Sequence, residues 1–291
     1  MRKRTYKLTN LEGTVAINFD NKTYTKSLLD LGSIEANLSS YVGAGQAGST
    51  ITARTYGTRD IEIQGYVLAE NENEMRNRKA TLQKIIVPTT DFYLVVDDKY
   101  RLKITATSTL QYETNWYVNC ELLTQFTING TCSNPFFETI TEQQASITGW
   151  IKDFHFPYCN PVGNKFTFGH RSTSKIVDLN NESEVETGMI ISFKAVAGTI
   201  VNPSLMNVNT DEELKINGTL QSGEEVQVNT GYGTKSARNI TLDENWLQKI
   251  TLDSTWLQMP VGLSSFRYDY DESSTGTLEC NVYYTPQLIE V

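Results

Sequence analysis

Between Arg59 and Ala106 the apolar pattern changes period twice, and this constrains the first half of the chain more than any other feature. Arg59-Asp-Ile-Glu-Ile-Gln-Gly-Tyr-Val-Leu68 opens with the strict alternation of a half-buried strand. From Glu70 the period lengthens. Met75, Lys79, Leu82 and Ile86 fall at i, i+4, i+7 and i+11, so they share one helical face, which Ile85 widens. Asn71 and Glu74 have capping-box spacing. Glu70, Glu72 and Glu74 precede Arg76, Arg78, Lys79 and Lys84, the order the helix dipole favours. Pro88 then drives Val87 out of helical geometry. The spacing predicts one helix, at about 71–87. Phe92–Val96 and Tyr100–Ala106 return to strand across an Asp97-Asp98 turn. A helix with one apolar stripe needs a sheet to lie on, and strands flank it on both sides.

The chain has 291 residues, enough for two domains. Its hydrophobic content of 39% against 20% charged suits a folded protein, and fifteen Tyr among many Thr, Val and Ile favour strand. Before the helix, Gly13–Phe19 alternates and Ile34–Val42 reads as extended. After it, Trp116–Ile128 reads as one long strand, with Cys120 as a small buried residue. Cys132-Ser-Asn-Pro-Phe-Phe137 follows as an aromatic turn. A polar stretch at Glu138–Glu142 marks a boundary, giving domains 1–140 and 141–291. Beyond it short strands recur between turn dipeptides such as Asn217-Gly218: Lys165–Phe168, Lys175–Asp178, Met189–Val196, Ser204–Asn209, Glu213–Ile216, Glu225–Asn229, Asn239–Leu242, Phe266–Tyr270 and Thr277–Tyr284. That spacing argues for a β-sandwich. The expected fold is therefore mainly β, an α+β first domain with one helix and an all-β second domain. Ile240-Thr-Leu-Asp-Glu-Asn-Trp-Leu-Gln248 is echoed by Ile250-Thr-Leu-Asp-Ser-Thr-Trp-Leu-Gln258, read as two adjacent strands or a local duplication.

Several function classes find no support. A net charge of −9 is wrong for a general nucleic-acid binder, which needs a basic face. No apolar run approaches the ~20 residues of a membrane span. The basic start, Met1–Lys7, lacks the apolar core of a signal peptide, which points to synthesis and folding in a cytoplasm. The four cysteines, Cys120, Cys132, Cys159 and Cys280, match no zinc spacing and read as free thiols. Tyr41-Val-Gly-Ala-Gly-Gln-Ala-Gly48 contains GxGxxG, but the β-like Ser49–Tyr56 follows where a dinucleotide site needs a helix. An exposed loop is the better reading, and Tyr41, Gly43, Gln46 and Gly48 are candidates for contact with another subunit. Asp153, His155 and Cys159 lie near one another in sequence, which is not the spatial contact a nucleophile pair needs. His170 falls in an expected turn. Asp269–Gly276 lacks the glycine and terminal glutamate of a calcium loop. No catalytic, cofactor-binding or metal-ligating residue is assigned, and no cofactor is expected. Trp246 and Trp256 are candidates for stacking on glycans, against the alternative that they are core.

The order of pieces resembles the siphovirus distal tail proteins. The resemblance rests on Gly57-Thr-Arg-Asp-Ile-Glu-Ile-Gln-Gly65, the helix ending Leu82-Gln-Lys-Ile-Ile-Val-Pro88, the strand pair at 92–106 and the Cys132–Phe137 turn. In the second half it rests on Asn202-Pro203, Glu213–Leu220, Gly223–Thr230 and Asp253–Gly262. The second Ile-Thr-Leu-Asp copy departs from it. The resemblance implies a ring-forming N-terminal domain and a galectin-like C-terminal sandwich. It further implies a structural role in the virion: a hexameric ring of copies at the end of the tail tube, contacting the tube protein, the baseplate hub and a receptor-binding protein, assembled in the bacterial cytoplasm. Galectin-like describes a fold and carries no sugar binding with it. Two other readings stand beside this one, a carbohydrate-binding module using Trp246 and Trp256, and a tail-associated hydrolase.

Overall fold

The computed structural model describes residues 4–115, 117, 120, 122–147, 150–152, 169–171 and 175–291. Two compact units emerge: Met1–Ile140 with Leu288–Val291, and Thr141–Gln287. The second unit is thus an insertion. The last four residues belong with the first unit, where a linear division at residue 140 had placed them in the second.

The first unit is built on a ten-stranded antiparallel sheet. Its main path runs Ala16–Asn18, Tyr6–Asn10, Asp91–Val96, Tyr100–Ala106, Leu123–Cys132, Arg59–Leu68 and Tyr24–Asp30. Arg59–Leu68 and Leu123–Cys132 pair over their full ten residues, from Leu68 opposite Leu123 to Arg59 opposite Cys132. Ile61, Ile63, Val67, Phe126, Ile128 and Cys132 all turn inward. Small residues face large ones. Gly65 lies opposite Phe126, and a Cβ there would sit 2.7 Å from the Phe126 ring and 2.4 Å from the Thr25 carbonyl oxygen.

The strand expected at Trp116–Ile128 begins only at Leu123 and continues to Cys132. Its pairing ends where Leu68 ends, because the partner chain then leaves the sheet to enter the helix. Cys120, expected to be buried in that strand, lies before it and is exposed, a correction to the sequence reading. Asp97 and Asp98 both have φ of 53°, the conformation of a type I′ hairpin turn.

The helix runs Glu72–Ile85. Asn71 caps it, its Oδ1 accepting from the Glu74 N–H at 2.9 Å, while Glu74 Oε2 accepts from the Glu70 N–H at 2.8 Å. These contacts satisfy two backbone donors at the helix start. Arg76 and Arg78 pair one turn back with Glu72 and Glu74. Met75, Leu82, Ile85 and Ile86 are buried against the sheet. Lys79, on the same stripe, places its ammonium 4.9 Å from the Tyr112 ring centroid, so its stem covers apolar surface.

The second unit is a β-sandwich. A seven-stranded sheet includes Gln143–Ser146, Thr277–Tyr284, Thr187–Ala197, Glu225–Asn229, Ser236–Asn239 and Glu244–Asn245. A four-stranded sheet holds Ile176–Asn181, Gly262–Asp269, Ser204–Asn207 and Glu212–Lys215. One apolar cluster takes Ile191, Phe193, Val226 and Val282 from the first sheet and Leu205, Leu214 and Phe266 from the second. The strand expected at Lys165–Phe168 lies outside the described residues, and that at Asn239–Leu242 is displaced to Ser236–Asn239. The repeated segments are not two adjacent strands. The first copy passes through a turn, a two-residue strand at Glu244–Asn245 and a 3-10 turn at Leu247–Lys249, and the second is mostly irregular.

Leu82 has no exposed surface. Removing a buried leucine side chain costs about 2–5 kcal/mol, and an unpaired carboxylate in its place adds a desolvation cost. Leu82→Asp should therefore unfold the first unit, seen as loss of its melting transition and of helical circular dichroism. A wild-type melt would show that the buried face is misassigned. Cys132 and Cys280 are buried, and that burial pushes the Cys132 thiol up to about 12 and the Cys280 thiol higher still. Both should stay protonated and unlabelled by iodoacetamide at about pH 8, while exposed Cys120 reacts. Peptide mass spectrometry of the native and denatured protein distinguishes them, and native labelling of Cys132 or Cys280 as fast as Cys120 would contradict the packing.

Candidate assembly surface

Between Tyr24–Asp30 and Arg59–Leu68 the chain forms a hairpin that pairs only with itself, Ala36–Tyr41 against Thr50–Tyr56. Every residue of both strands is exposed. A hairpin with neither face covered normally carries polar residues. This one presents Leu38 and Tyr41 at 56%, Ile51 at 43% and Tyr56 at 56%, with Val42 beside them at 66%.

The glycine-rich motif is the tip of this hairpin. The Gln46 N–H donates to the Gly43 carbonyl at 3.0 Å. Gln46 Oε1 accepts from the Gly43 N–H at 3.1 Å, and its Nε2 donates to Thr50 Oγ1 at 2.9 Å. Gln46 is therefore spent on shaping the loop. Gly45 and Gly48, with φ of 75° and 82°, allow backbone that a side chain would strain. Tyr41 is exposed and belongs to neither apolar core. The four residues singled out in the sequence thus occupy one exposed tip, with Gly43 and Gln46 setting its form.

At the hairpin's base the two strands are drawn together. The Gly57 N–H donates to the Glu35 carbonyl at 2.7 Å. Gly32 approaches so closely that a Cβ would lie 2.0 Å from the Asp60 carbonyl oxygen. A polar cavity of about 260 Å³ lies here, lined by Ser33, Glu35, Asn37, Thr58 and Asp60 among others.

Chemistry is sparse elsewhere. Among the described residues no three His, Cys, Asp or Glu side chains gather as a metal set. Asp269 and Asp271, which looked like a degenerate calcium loop, are engaged by lysines: Lys175 Nζ reaches Asp269 at 2.6 Å and Lys215 Nζ reaches Asp271 at 3.1 Å. For Asp271 the Asn202 amide at 2.5 Å and this lysine hold the pKa below the usual carboxylate range. Asp153, His155 and Cys159 lie outside the described residues. His170 is in a strand, opposite Ile151, and not in a turn.

The glycan-stacking candidates separate. Trp246 is 2% exposed and belongs to the sandwich core. Its Nε1 donates to Glu244 Oε2 at 3.0 Å, and Lys249 Nζ stands 3.4 Å from its ring centroid. No face of that ring is left for a sugar, which corrects the expectation. Trp256 is half-buried against the same core, with Lys235 Nζ 5.3 Å from its ring centroid. Sequence reasoning missed Tyr232, 71% exposed on the loop after Glu225–Asn229. The signal was an aromatic between two glycines in Gly231-Tyr-Gly233, a turn context with nothing to bury the ring.

Two family models match successive parts of the chain. The phage tail protein RIFT-related domain matches residues 6–129, and the siphovirus-type tail component C-terminal domain matches residues 182–287. No curated protein sequence matches. The crystal structure of the SPP1 Dit protein, described as a paradigm of the hub adsorption apparatus in phages infecting Gram-positive bacteria, gives a TM-score of 0.66 at 11% identity, covering 97% of this chain and 98% of that one. A chain of the phage P2 baseplate in its activated conformation with Ca gives 0.54 at 10% identity, covering 100% of both. At such identities the likeness concerns the fold, shared over nearly the full length. With a tail-protein domain followed by a siphovirus tail-component domain on that shared fold, the chain belongs to the siphovirus distal tail proteins, structural components of the phage tail tip.

Proposed function

We propose that copies of this chain close into a hexameric ring at the distal end of the tail tube, joining the tube protein to the baseplate hub. The first unit builds the ring. The second, a galectin-like sandwich, faces outward and supports the receptor-binding protein. Assembly takes place in the bacterial cytoplasm before the ring enters the virion. The observation that carries this reading is the self-paired hairpin, Ala36–Tyr41 with Thr50–Tyr56, which leaves Leu38, Tyr41 and Ile51 exposed, while Tyr56 at its base stands edge-on to Phe136 at 5.0 Å between ring centroids. Exposed apolar patches of this kind mark interaction sites. A ring needs a heterologous contact, one patch on each copy fitting a different patch on the next, closed by a fixed rotation. A hairpin leaving the sheet between adjacent strands is suited to reach a neighbour. The net charge of −9 suits a conduit for DNA, since an acidic wall does not retain it.

Light scattering after size exclusion, with negative-stain microscopy, should show six-fold rings of the purified protein. The double variant Leu38→Asp/Ile51→Asp alters only exposed positions and should fold with an unchanged melting temperature. Its assembly should weaken at least a hundredfold, because carboxylates at the centre of a contact cost more than about 2 kcal/mol each. A wild-type protein that stays monomeric at every concentration, or rings that form unchanged in the double variant, would refute the assignment.

A further inference from the structure

The second unit carries a surface cluster of its own, apart from the hairpin of the first unit. Thr230–Lys235 joins Glu225–Asn229 to Ser236–Asn239 in a tightly held loop. Thr230 Oγ1 accepts from the Met189 N–H at 3.0 Å. Asn229 Oδ1 accepts from the Gly231 N–H at 2.9 Å, and the Thr234 N–H donates to the Gly231 carbonyl at 3.1 Å. Gly233, with φ of 77°, completes the turn. Fixed in this way, the loop still leaves Tyr232 71% exposed.

Around that ring stand two acids, Glu186 and Glu212, a base and a second aromatic. The Tyr232 hydroxyl donates to Glu186 Oε1 at 3.4 Å. Lys235 Nζ lies between two rings, 5.6 Å from the centroid of Tyr232 and 5.3 Å from that of Trp256. One side chain ties the two halves together: Gln258 Nε2 donates to the Thr230 carbonyl at 2.9 Å and to the Trp256 carbonyl at 3.1 Å. Gln258 Oε1 is buried with no hydrogen-bond donor. The Gln258 amide is therefore held in place by its nitrogen alone, and its work is to set the tyrosine loop against the tryptophan.

We propose that Tyr232, Lys235, Trp256 and Glu186 form a binding site for a neutral pyranoside, with Gln258 as its positioning residue. A pinned aromatic that buries little of itself adds little to its own fold, whereas rigid aromatics are efficient contact groups because little entropy is lost on binding. The ligand class follows from the charges. Lys235 already supplies the cation between the two rings, which disfavours a cationic ligand. Glu186 and Glu212, whose charges both act on Tyr232, disfavour an anionic one. What remains is an uncharged molecule with an apolar face for the rings and hydroxyls for a carboxylate, an ammonium and a phenol. Two rings and three polar tips are also far smaller than the roughly 800 Å² per partner of a stable protein contact. This inference is independent of ring formation, and a monomer would bind equally well.

Saturation-transfer NMR of the full chain with the methyl glycosides of glucose, galactose, N-acetylglucosamine and rhamnose tests the site, with polyglycerol phosphate as a charged comparison. At least one neutral glycoside should give saturable transfer that Tyr232→Ala weakens tenfold or more and Tyr232→Phe largely keeps, with the melting temperature unchanged in both. Lys235→Ala should weaken the same glycoside. Transfer from none of the four, transfer undiminished in Tyr232→Ala, or binding of polyglycerol phosphate alone would overturn the proposal.

Discussion

The ten-residue register between Arg59–Leu68 and Leu123–Cys132 is the constraint on which the first unit depends. Side chains alternate strictly across a strand, so a slip of one residue would turn one strand's whole inward set, Ile61 and Ile63 or else Phe126 and Ile128, out of the core. Gly65 opposite Phe126 suits this alignment, since a Cβ there would sit 2.7 Å from the ring. The helix follows Leu68 directly and inherits its position from that strand. At the opposite end of the ladder, Arg59 lies opposite Cys132 and is 2% exposed. A buried guanidinium must be compensated. Its Nη2 donates to the Ile289 carbonyl at 2.6 Å, and its charge lies 5.2 Å from the Phe137 ring centroid. Burial pulls its pKa below the ordinary arginine value, with Cys132 and Glu290 opposing that shift. The last residues of the chain are thereby tied to the first unit by a side chain 230 positions earlier.

That tie explains why the second unit is an insertion. Leu288 and Val291 pack against the first unit's core, and Arg4 donates to the Val291 carbonyl. Four residues are too short a run to show any period, so nothing in their sequence marks them as part of a sheet begun nearly 300 residues before. Length alone suggested two domains, and the boundary near residue 140 could be read from polarity. The return could not be, because it depends on contacts between residues more than 200 positions apart, such as Arg59 with Ile289.

The same logic divides the rest of the molecule. The helix and the strands at 59–68, 91–96 and 100–106 were legible because each has one buried face, and burial writes a period into sequence. The sandwich strands with buried alternation, such as Glu225–Asn229 and Thr277–Tyr284, were legible for the same reason. The hairpin at 36–56 has no buried face. It writes no alternation, so its extended character showed but its isolation did not. The duplicated nonapeptides give the sharpest contrast. In the first, Trp246 is buried and Leu247 exposed; in the second, Leu257 is 1% exposed and Trp256 only half-buried. The same Trp-Leu-Gln turns opposite sides inward, because a 3-10 turn begins at Leu247 while Gln258 joins a strand. Local sequence was nearly constant across the two copies, and tertiary context decided which residue entered the core. A platform of Trp246 and Trp256 therefore never forms, and among the described residues the exposed aromatic on this unit is Tyr232.

The hairpin of the first unit is open to a partner, and its design bears on how an assembly could use it. A two-stranded hairpin on its own is at best marginally stable in water. Here the base is fixed by the Glu35–Gly57 contact and the tip by the three hydrogen bonds of Gln46. Its conformation is therefore largely set before any neighbour arrives, and less ordering entropy is lost on contact. Its unpaired edges and exposed Leu38, Tyr41, Ile51 and Tyr56 would favour indiscriminate strand pairing in a protein without a destined partner. The bulge between Ser39 and Ser40 works against that by twisting the edge out of a flat template. An arm that is preorganised, apolar and yet twisted away from simple edge pairing favours a shaped receptor over an arbitrary strand. A receptor supplied by the next copy would explain why the arm departs from the sheet at a sharp, glycine-dependent corner beside Gly32: the direction of the arm would set the rotation between copies, and with it the number of subunits that closes a ring.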